Sequence, residues 1–345
     1  MTKSKQVRIG VVGFGEWGPN HVRNLARLPN TKVMGVADPR MERLQAARQQ
    51  FKGIHTFRTH KELLDAVPID ALIVATPTST HAEIVRTALE ANIHVLCEKP
   101  LCLDLQEGRD LVQLARSKLL VLMVGHVFLF NAGILKLHQL IQDKEVGTVL
   151  YLTCRRTNLG PIREDVNAVW DLASHDVAIA NYLLGGLPRE VSAVGQAYLR
   201  QNLQDVAFVT LTYPKDVLVH FHVSWLDPVK VREITVVGDR KMVTWNDLSP
   251  LEPVRIHDKG VIRERHYTDF SQFQLLTREG DATIPRIRIE EPLLVQDRYF
   301  VAALKGQGKC LSDGVFALDV MKVLVAIDRS IAAGGTPVSL ESGCE

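Results

Sequence analysis

Several short constellations in this 345-residue chain combine residue types that do chemistry. Gly13-Phe14-Gly15-Glu16-Trp17-Gly18 follows an apolar run directly and leads into a segment with helical spacing through Leu28. A tight turn calls for Gly13, backbone approach to a pyrophosphate for Gly15, and close packing of helix on strand for Gly18, while the helix N-terminus favours phosphate charge. The pattern reads as a dinucleotide phosphate seat, with a glycine turn that binds nothing as the alternative. Asp38 ends the next run, 20 residues beyond Gly18. A carboxylate there accepts hydrogen bonds from the adenosine ribose hydroxyls and repels a 2′-phosphate, which favours NAD over NADP. Asp38-Pro39 also suits a helix N-cap with proline at the first helical position, and Arg40 or Arg43 can soften the cofactor preference.

Further along stand Thr76-Pro77-Thr78-Ser79-Thr80-His81, Glu98-Lys99-Pro100 and Asp171-Leu172-Ala173-Ser174-His175. Thr80 and Glu83 have capping-box spacing, so a helix is expected to start there, with Thr76 to Thr78 lining the cofactor or forming a plain capped turn. A lysine such as Lys99, aimed into a cleft, hydrogen-bonds a reacting hydroxyl or carbonyl oxygen, although loop lysines are more often merely solvated. Asp171 and His175 stand four apart on an expected helix, on one face. A histidine oriented by a carboxylate suits proton removal from an alcohol near neutral pH, and the bland alternative is a surface ion pair. No H-x-x-x-H pair or cysteine partner at ligand spacing accompanies them, so no metal is expected. His220 and His222 fall on the polar face of an expected strand, and His126 suits either a cleft or a structural role.

The elements that must position these groups change character along the chain. Up to about residue 125, near-continuous apolar runs (VRIGVVG, KVMGVAD, ALIVAT, HVLCE, LLVLMVG) alternate with helical segments, the pattern of a doubly wound parallel sheet buried on both faces. From about 145, alternating runs (GTVLYLTCRR, EVSAVGQAYL, DVAFVTLTY, VLVHFHVSW, REITVVG, KMVTW) point to a mainly antiparallel sheet with one open face. One helix, from about Trp170 to Leu184, interrupts them, and two more close the chain over Glu291 to Lys305 and Gly314 to Gly334. The expected organisation is therefore α/β: a Rossmann domain over 1–125 and an α+β substrate and oligomerisation domain over 126–345.

Composition narrows the partners. Hydrophobic residues make up 46% and charged residues 23%, and 41 Lys and Arg against 39 Asp and Glu leave no basic field for nucleic acid. The longest later apolar run, Leu119 to Gly125, falls far short of the roughly 20 residues needed to span a bilayer. Five cysteines without a C-x-x-C pair suggest reduced thiols, and a cytoplasmic location is expected.

In their order and spacing, GFGEWG, Asp38, ATPTSTH, EKP at 98–100 and D-x-x-x-H at 171–175 resemble the Gfo/Idh/MocA family of NAD(P)-dependent sugar and polyol oxidoreductases. The resemblance runs over nearly the whole chain and implies a Rossmann domain followed by an open α/β domain whose sheet forms homodimer or homotetramer contacts. It implies a catalytic role for Lys99, an acid/base role for His175 and Asp171 close to both substrate and histidine. Cofactor contacts are implied at Gly13, Phe14, Gly15, Glu16, Trp17, Gly18, Asp38, Arg40, Thr76, Pro77, Thr78, His81, Glu98 and Lys99. Within the family, NLGPIR at 158–163, DVN at 165–167, WDL at 170–172 and SWLDP at 224–228 look like the branch with UDP-N-acetylglucosamine and UDP-N-acetylglucosaminuronate 3-dehydrogenases. That branch implies a nucleotide-sugar site at Arg156, Asn158, Arg163, Asn167, Trp170 and His175, with guanidinium groups suited to a diphosphate. A free polyol such as an inositol, or a non-catalytic NAD-binding sensor, are the competing readings.

Overall fold

Apolar runs of four to seven residues become strands with scarcely an exposed side chain, as in β1 (Val7–Val12). After it come β2 (Thr31–Ala37), β3 (His55–Phe57), β4 (Ala71–Val74), β5 (His94–Glu98) and β6 (Leu122–Gly125). All six pair in parallel, in the order β3-β2-β1-β4-β5-β6. Between the strands run α1 (Gly18–Leu25), α2 (Met41–Gln50), α3 (His60–Ala66), α4 (His81–Glu90) and α5 (Leu105–Ser117). The computed structural model describes residues 6–262, 276–308 and 310–340. The order of the sheet reverses between β1 and β4, and in such sheets ligands bind at the carboxyl ends of the strands beside that reversal. The three-residue edge strand β3 is not among the five apolar runs, because a strand that short carries no periodic signal.

The remaining elements are α6 (Ala132–Gln142), β7 (Val149–Thr157), α7 (Ser174–Leu184), β8 (Glu190–Gln196), β9 (Val206–Thr212) and β10 (Leu218–Ser224). After them come β11 (Val231–Gly238), β12 (Met242–Asn246), β13 (Val254–His257), β14 (Gly260–Ile262), β15 (Leu276–Arg278) and β16 (Ala282–Thr283). The chain closes with α8 (Pro292–Leu304), α9 (Gly314–Ala332) and β17 (Val338–Ser339). Nine of these strands form one sheet, β16-β13-β12-β11-β7-β10-β9-β8-β17, antiparallel except for the β7–β10 pair. Alternate residues of β9 and β10 are buried, so one face is covered and the other open. Val194, Phe208, His222 and Arg155 form one row across that open face, and Thr212, Leu218, Tyr151 and Val237 another. His222 stacks on Phe208 with ring centroids 4.5 Å apart, which agrees with the polar-face expectation for this strand.

The chain divides into Met1–Phe130 with Glu290–Met321, and Asn131–Ile289 with Lys322–Glu345. A division at residue 125 with everything later in one domain is thereby corrected. α8 returns to the first unit because the helix and its N-cap residue bind α1: Asp297 contacts His21, while Glu291 accepts hydrogen bonds from Arg23 and Asn24. No helix among the described residues is long and apolar enough to cross a membrane.

Candidate functional site

The glycine turn is built as its spacing requires. Gly13 has φ +91°, and a Cβ on it would lie 2.3 Å from the Ala75 carbonyl oxygen, so no other residue fits. A Cβ on Gly18 would lie 2.0 Å from the Gly13 carbonyl oxygen, so glycine there lets α1 close on the turn. Gly15 differs: the nearest atom to an added Cβ is an Arg40 nitrogen at 3.8 Å. Glycine at this position serves no internal packing and leaves the backbone bare toward the opening, which fits a pyrophosphate. α1 has no side-chain cap and no acidic residue in its first turn, so its positive end favours an anion. The Phe14 ring is buried edge-on against Phe51, centroids 6.3 Å apart, so Phe14 anchors the turn and offers only its backbone; Glu16 and Trp17 are exposed.

Asp38 is 2% exposed at the end of β2. Its carboxylate accepts from the Phe14 N–H at 2.8 Å, the Arg40 N–H at 3.0 Å and Arg40 Nε at 3.2 Å. Burial alone would raise its pKa, but the Arg40 side chain and the two backbone N–H groups outweigh that and hold it below the usual carboxylate range. The N-cap reading of Asp38-Pro39 is corrected, since α2 begins at Met41 and Arg40 is the cap position without a side-chain bond. Asp38 instead ties the β2 end to the glycine turn, with the half-exposed Arg40 lying over it.

In the next loop the helix starts where expected, at His81 after a 3₁₀ turn over Thr78–Thr80, but no capping box forms. The Thr80 hydroxyl bonds Thr76 Oγ1 and the Pro77 carbonyl instead of the helix N-terminus. Thr76 is half-buried, Pro77 exposed and Thr78 buried. His81 is an internal brace: it is buried, with Nδ1 2.8 Å from the Pro100 carbonyl oxygen and Nε2 2.9 Å from that of Thr76. This couples the Thr76 loop to the residue after Lys99. Lys99 itself is half-buried just past the carboxyl end of β5, and its bond to Pro100 is cis. Glu98 directs its carboxylate to His21 Nε2 at 3.0 Å, which no sequence signal suggested. His126 is structural: its ring is buried, edge-on to Phe316, and burial together with the Lys99 charge pushes it down to about 3.

In the second unit, the segment before His175 departs from the single α-helix expected. Val169–Ala173 forms a π-helical turn, and α7 begins only at Ser174. The wider turn changes the angular offset between positions 171 and 175, so α-helical i,i+4 spacing does not describe the pair; such turns often accompany functional sites. Asp171 accepts from Trp225 Nε1 at 3.2 Å and meets Arg163 Nη1 at 3.4 Å. Arg163 also holds Asp165 with two bonds, at 2.9 and 2.6 Å, so a diphosphate there would compete with two carboxylates. His175 is half-buried in the first turn of α7.

Three residues expected at the sugar site bond within the fold. Arg156 lies within β7, not in the following loop, is 2% exposed, and forks onto Asp176 at 2.9 and 3.1 Å. This pair fastens α7 to the sheet one residue from His175. The Asn167 amide bonds Gln204 and Asp328, and its oxygen accepts from the Trp170 N–H at 3.0 Å. Trp170 is buried and donates Nε1 to Asp328 at 2.5 Å. Asn158 is half-buried, with its amide on the Gly160 carbonyl. Asp328, on α9, was missed because its partners lie about 160 residues away in the chain.

A parallel 3-2-1-4-5-6 sheet with a phosphate-seat turn, followed by a half-open mixed sheet, defines a two-unit dinucleotide-binding oxidoreductase fold. Residues 7–126 match the oxidoreductase family with the NAD-binding Rossmann fold and residues 134–244 the Gfo/Idh/MocA C-terminal domain, so the chain belongs to the Gfo/Idh/MocA family. It is 35% identical over 216 residues to an inositol 2-dehydrogenase from Paenarthrobacter aurescens, covering 59% of this chain and 64% of that one. It is 29% identical over 244 residues to a UDP-N-acetylglucosamine 3-dehydrogenase from Acidithiobacillus ferrooxidans, covering 70% and 72%. The matched stretch thus spans less than two thirds of the inositol relative's length. The solved WlbA dehydrogenase of Bordetella pertussis, in complex with NADH and UDP-GlcNAcA, shares the fold with TM-score 0.80 at 21% identity, covering 97% of this chain and 99% of that one.

Proposed function

We propose that this chain is an NAD-dependent dehydrogenase that oxidises a secondary hydroxyl of a sugar, at C3 of a UDP-linked N-acetylated hexose or its uronate. The observation that carries the redox reading is the conjunction, in one unit, of the bare Gly15 turn, the buried Asp38 carboxylate and Lys99 past the carboxyl end of β5. NAD, when bound, supplies the hydride acceptor. The Gly13–Gly18 turn and the α1 N-terminus hold the pyrophosphate, and Asp38 holds the ribose once Arg40 swings aside. Lys99 donates a hydrogen bond to the reacting oxygen, and His175 takes the hydroxyl proton as the ketone forms. Asp171, fixed by Trp225, orients the substrate beside His175. Arg163 is the guanidinium for the diphosphate, in exchange for its present carboxylate partners.

Similarity to the UDP-N-acetylglucosamine 3-dehydrogenase over 70% of the chain supports the nucleotide-sugar substrate. A free polyol is the second reading, supported by 35% identity to the inositol 2-dehydrogenase. The test is NADH formation at saturating NAD with UDP-N-acetylhexosamines, their uronates and free inositols. Turnover confined to the UDP-linked sugars is the expected result; turnover of inositols alone selects the second reading. Binding of NAD without turnover of any sugar overturns both and leaves a non-catalytic sensor. In the active case, Lys99→Ala and His175→Ala each lower kcat by about 10²- to 10⁴-fold.

The assembly is a homodimer or homotetramer through the open face of the nine-stranded sheet, where exposed Tyr151, Val194, Phe208 and Leu218 support the reading. Buried free thiols at Cys97, Cys102 and Cys154 support a reducing, cytoplasmic setting.

A further inference from the structure

A buried three-residue network stands behind the Lys99 corner. The His21 ring is fully buried in the first turn of α1, three residues after the last glycine of the turn. Its Nδ1 lies 2.8 Å from Asp297 Oδ1 on α8 and its Nε2 3.0 Å from Glu98 Oε1 at the end of β5. Asp297 is fully buried and the Glu98 side chain is 14% exposed. Glu98 is confined on its other side, since a Cβ on Gly125 would lie 3.1 Å from Glu98 Oε1. One ring therefore joins the helix of the phosphate seat, the strand end that carries Lys99, and α8.

We propose that His21 is a positioning residue whose ring ties the glycine-turn helix to Glu98 and so holds the corner from which Lys99 projects. A neutral imidazole has one N–H, yet both nitrogens here face carboxylate oxygens. Only the doubly protonated ring donates to both. Burial works against that charge, but the attraction and hydrogen bonds of Asp297 and Glu98 outweigh it and push the ring up to about 10. The other charges acting on Asp297 are Glu291, at the N-cap of α8, and Glu98. Without the imidazolium, two carboxylates face each other with no counter-charge between them. Glu98 then swings outward or takes up a proton, and Lys99, the next residue, shifts with it.

The role rests on the reading of Lys99 as the group on the reacting oxygen, and it is tested partly without turnover. In the wild type, ¹⁵N resonances of the His21 ring report two protonated nitrogens at pH 7.5. In His21→Gln, the acylation rate of Lys99 by an amine-reactive ester, read by mass spectrometry without substrate, changes severalfold, because field and exposure at the corner change. kcat falls by about tenfold or more while the Kd for NAD stays within about threefold, since a shift near 1 Å at a reacting group is costly to turnover. Asp297→Asn, which keeps the shape of the site, gives the same directions if His21→Gln fails to fold. Arg23→Gln, on the same helix, leaves both readouts unchanged. A ring with a single protonated nitrogen, or a folded variant matching the wild type in Lys99 acylation and kcat, overturns the proposal. If the wild type oxidises no sugar, the function assigned to Lys99 fails, while ring protonation and acylation still decide whether His21 positions it.

Discussion

On the proposed cofactor site, Asp38 and Arg40 would act on the choice between NAD and NADP in opposite senses. The carboxylate is tied to Phe14 and both the backbone and side chain of Arg40, and it repels a 2′-phosphate. The Arg40 guanidinium, bound to Asp38 and half exposed, is the group a 2′-phosphate would recruit. Replacing Asp38 by Ala removes ribose acceptors and frees Arg40. Hydrogen bonds to a charged group contribute about 1.5–3 kcal/mol, and about 1.4 kcal/mol is tenfold. Asp38→Ala is therefore expected to lower kcat/KM for NAD by about tenfold or more and raise the relative use of NADP, while Arg40→Ala lowers NADP use further and spares NAD. Steady-state kinetics with both cofactors decide it, and an unchanged ratio in Asp38→Ala removes that residue from cofactor selection.

At the scale of elements, the position of His175 depends on how α7 is fastened, and one fastening is the buried pair of Arg156 and Asp176. Burial raises the Asp176 pKa against the opposing pull of Arg156, so the carboxylate depends on that guanidinium. Arg156→Leu leaves a buried carboxylate uncompensated and is expected to destabilise by about 3–5 kcal/mol, whereas the double replacement with Asp176→Leu recovers much of the loss. Urea unfolding of the three proteins checks this, and a single variant as stable as wild type would show that Asp176 is already neutral. The elements themselves were legible where their burial is periodic: unbroken apolar runs predicted β1, β2, β4, β5 and β6, and strict alternation predicted β7 to β12. The π turn before His175 was not, because its sequence reads as continuous helix until Asn167 and Asp328 are known to bond there. The glycine turn was legible because its residues are consecutive. The bonds that Arg156 and His81 make within the fold were not legible, because residue type gives no warning of a partner arriving from elsewhere in the chain. For the same reason His21 passed unnoticed, its partner Asp297 standing 276 residues away.

At the scale of the whole molecule, charge placed on the open sheet face separates assembly from folding. If the chain assembles through this face as proposed, Phe208→Glu, which puts a carboxylate in the row with Val194, yields a smaller species in light scattering with an unchanged urea midpoint; an unchanged mass overturns the proposed interface. Two buried histidines contribute to the pH dependence of stability with opposite signs. The folded-state pKa of His21 lies above its unfolded value, near 6.5, because Asp297 and Glu98 outweigh burial. Its contribution is therefore complete below about pH 6.5 and is lost as the pH rises toward about 10. His126 has the reverse sign, with burial and Lys99 depressing it to about 3, so its contribution is complete above about 6.5 and is lost as the pH falls toward 3. Together they favour a stability maximum near neutrality, His21 contributing to the alkaline flank and His126 to the acid one. Urea midpoints measured from pH 5 to 9.5 should fall on both sides in the wild type. His21→Gln should flatten the alkaline flank and His126→Phe the acid flank, each leaving the other in place. A His21 variant whose alkaline flank runs parallel to that of the wild type would mean that its ring carries no charge in the folded protein.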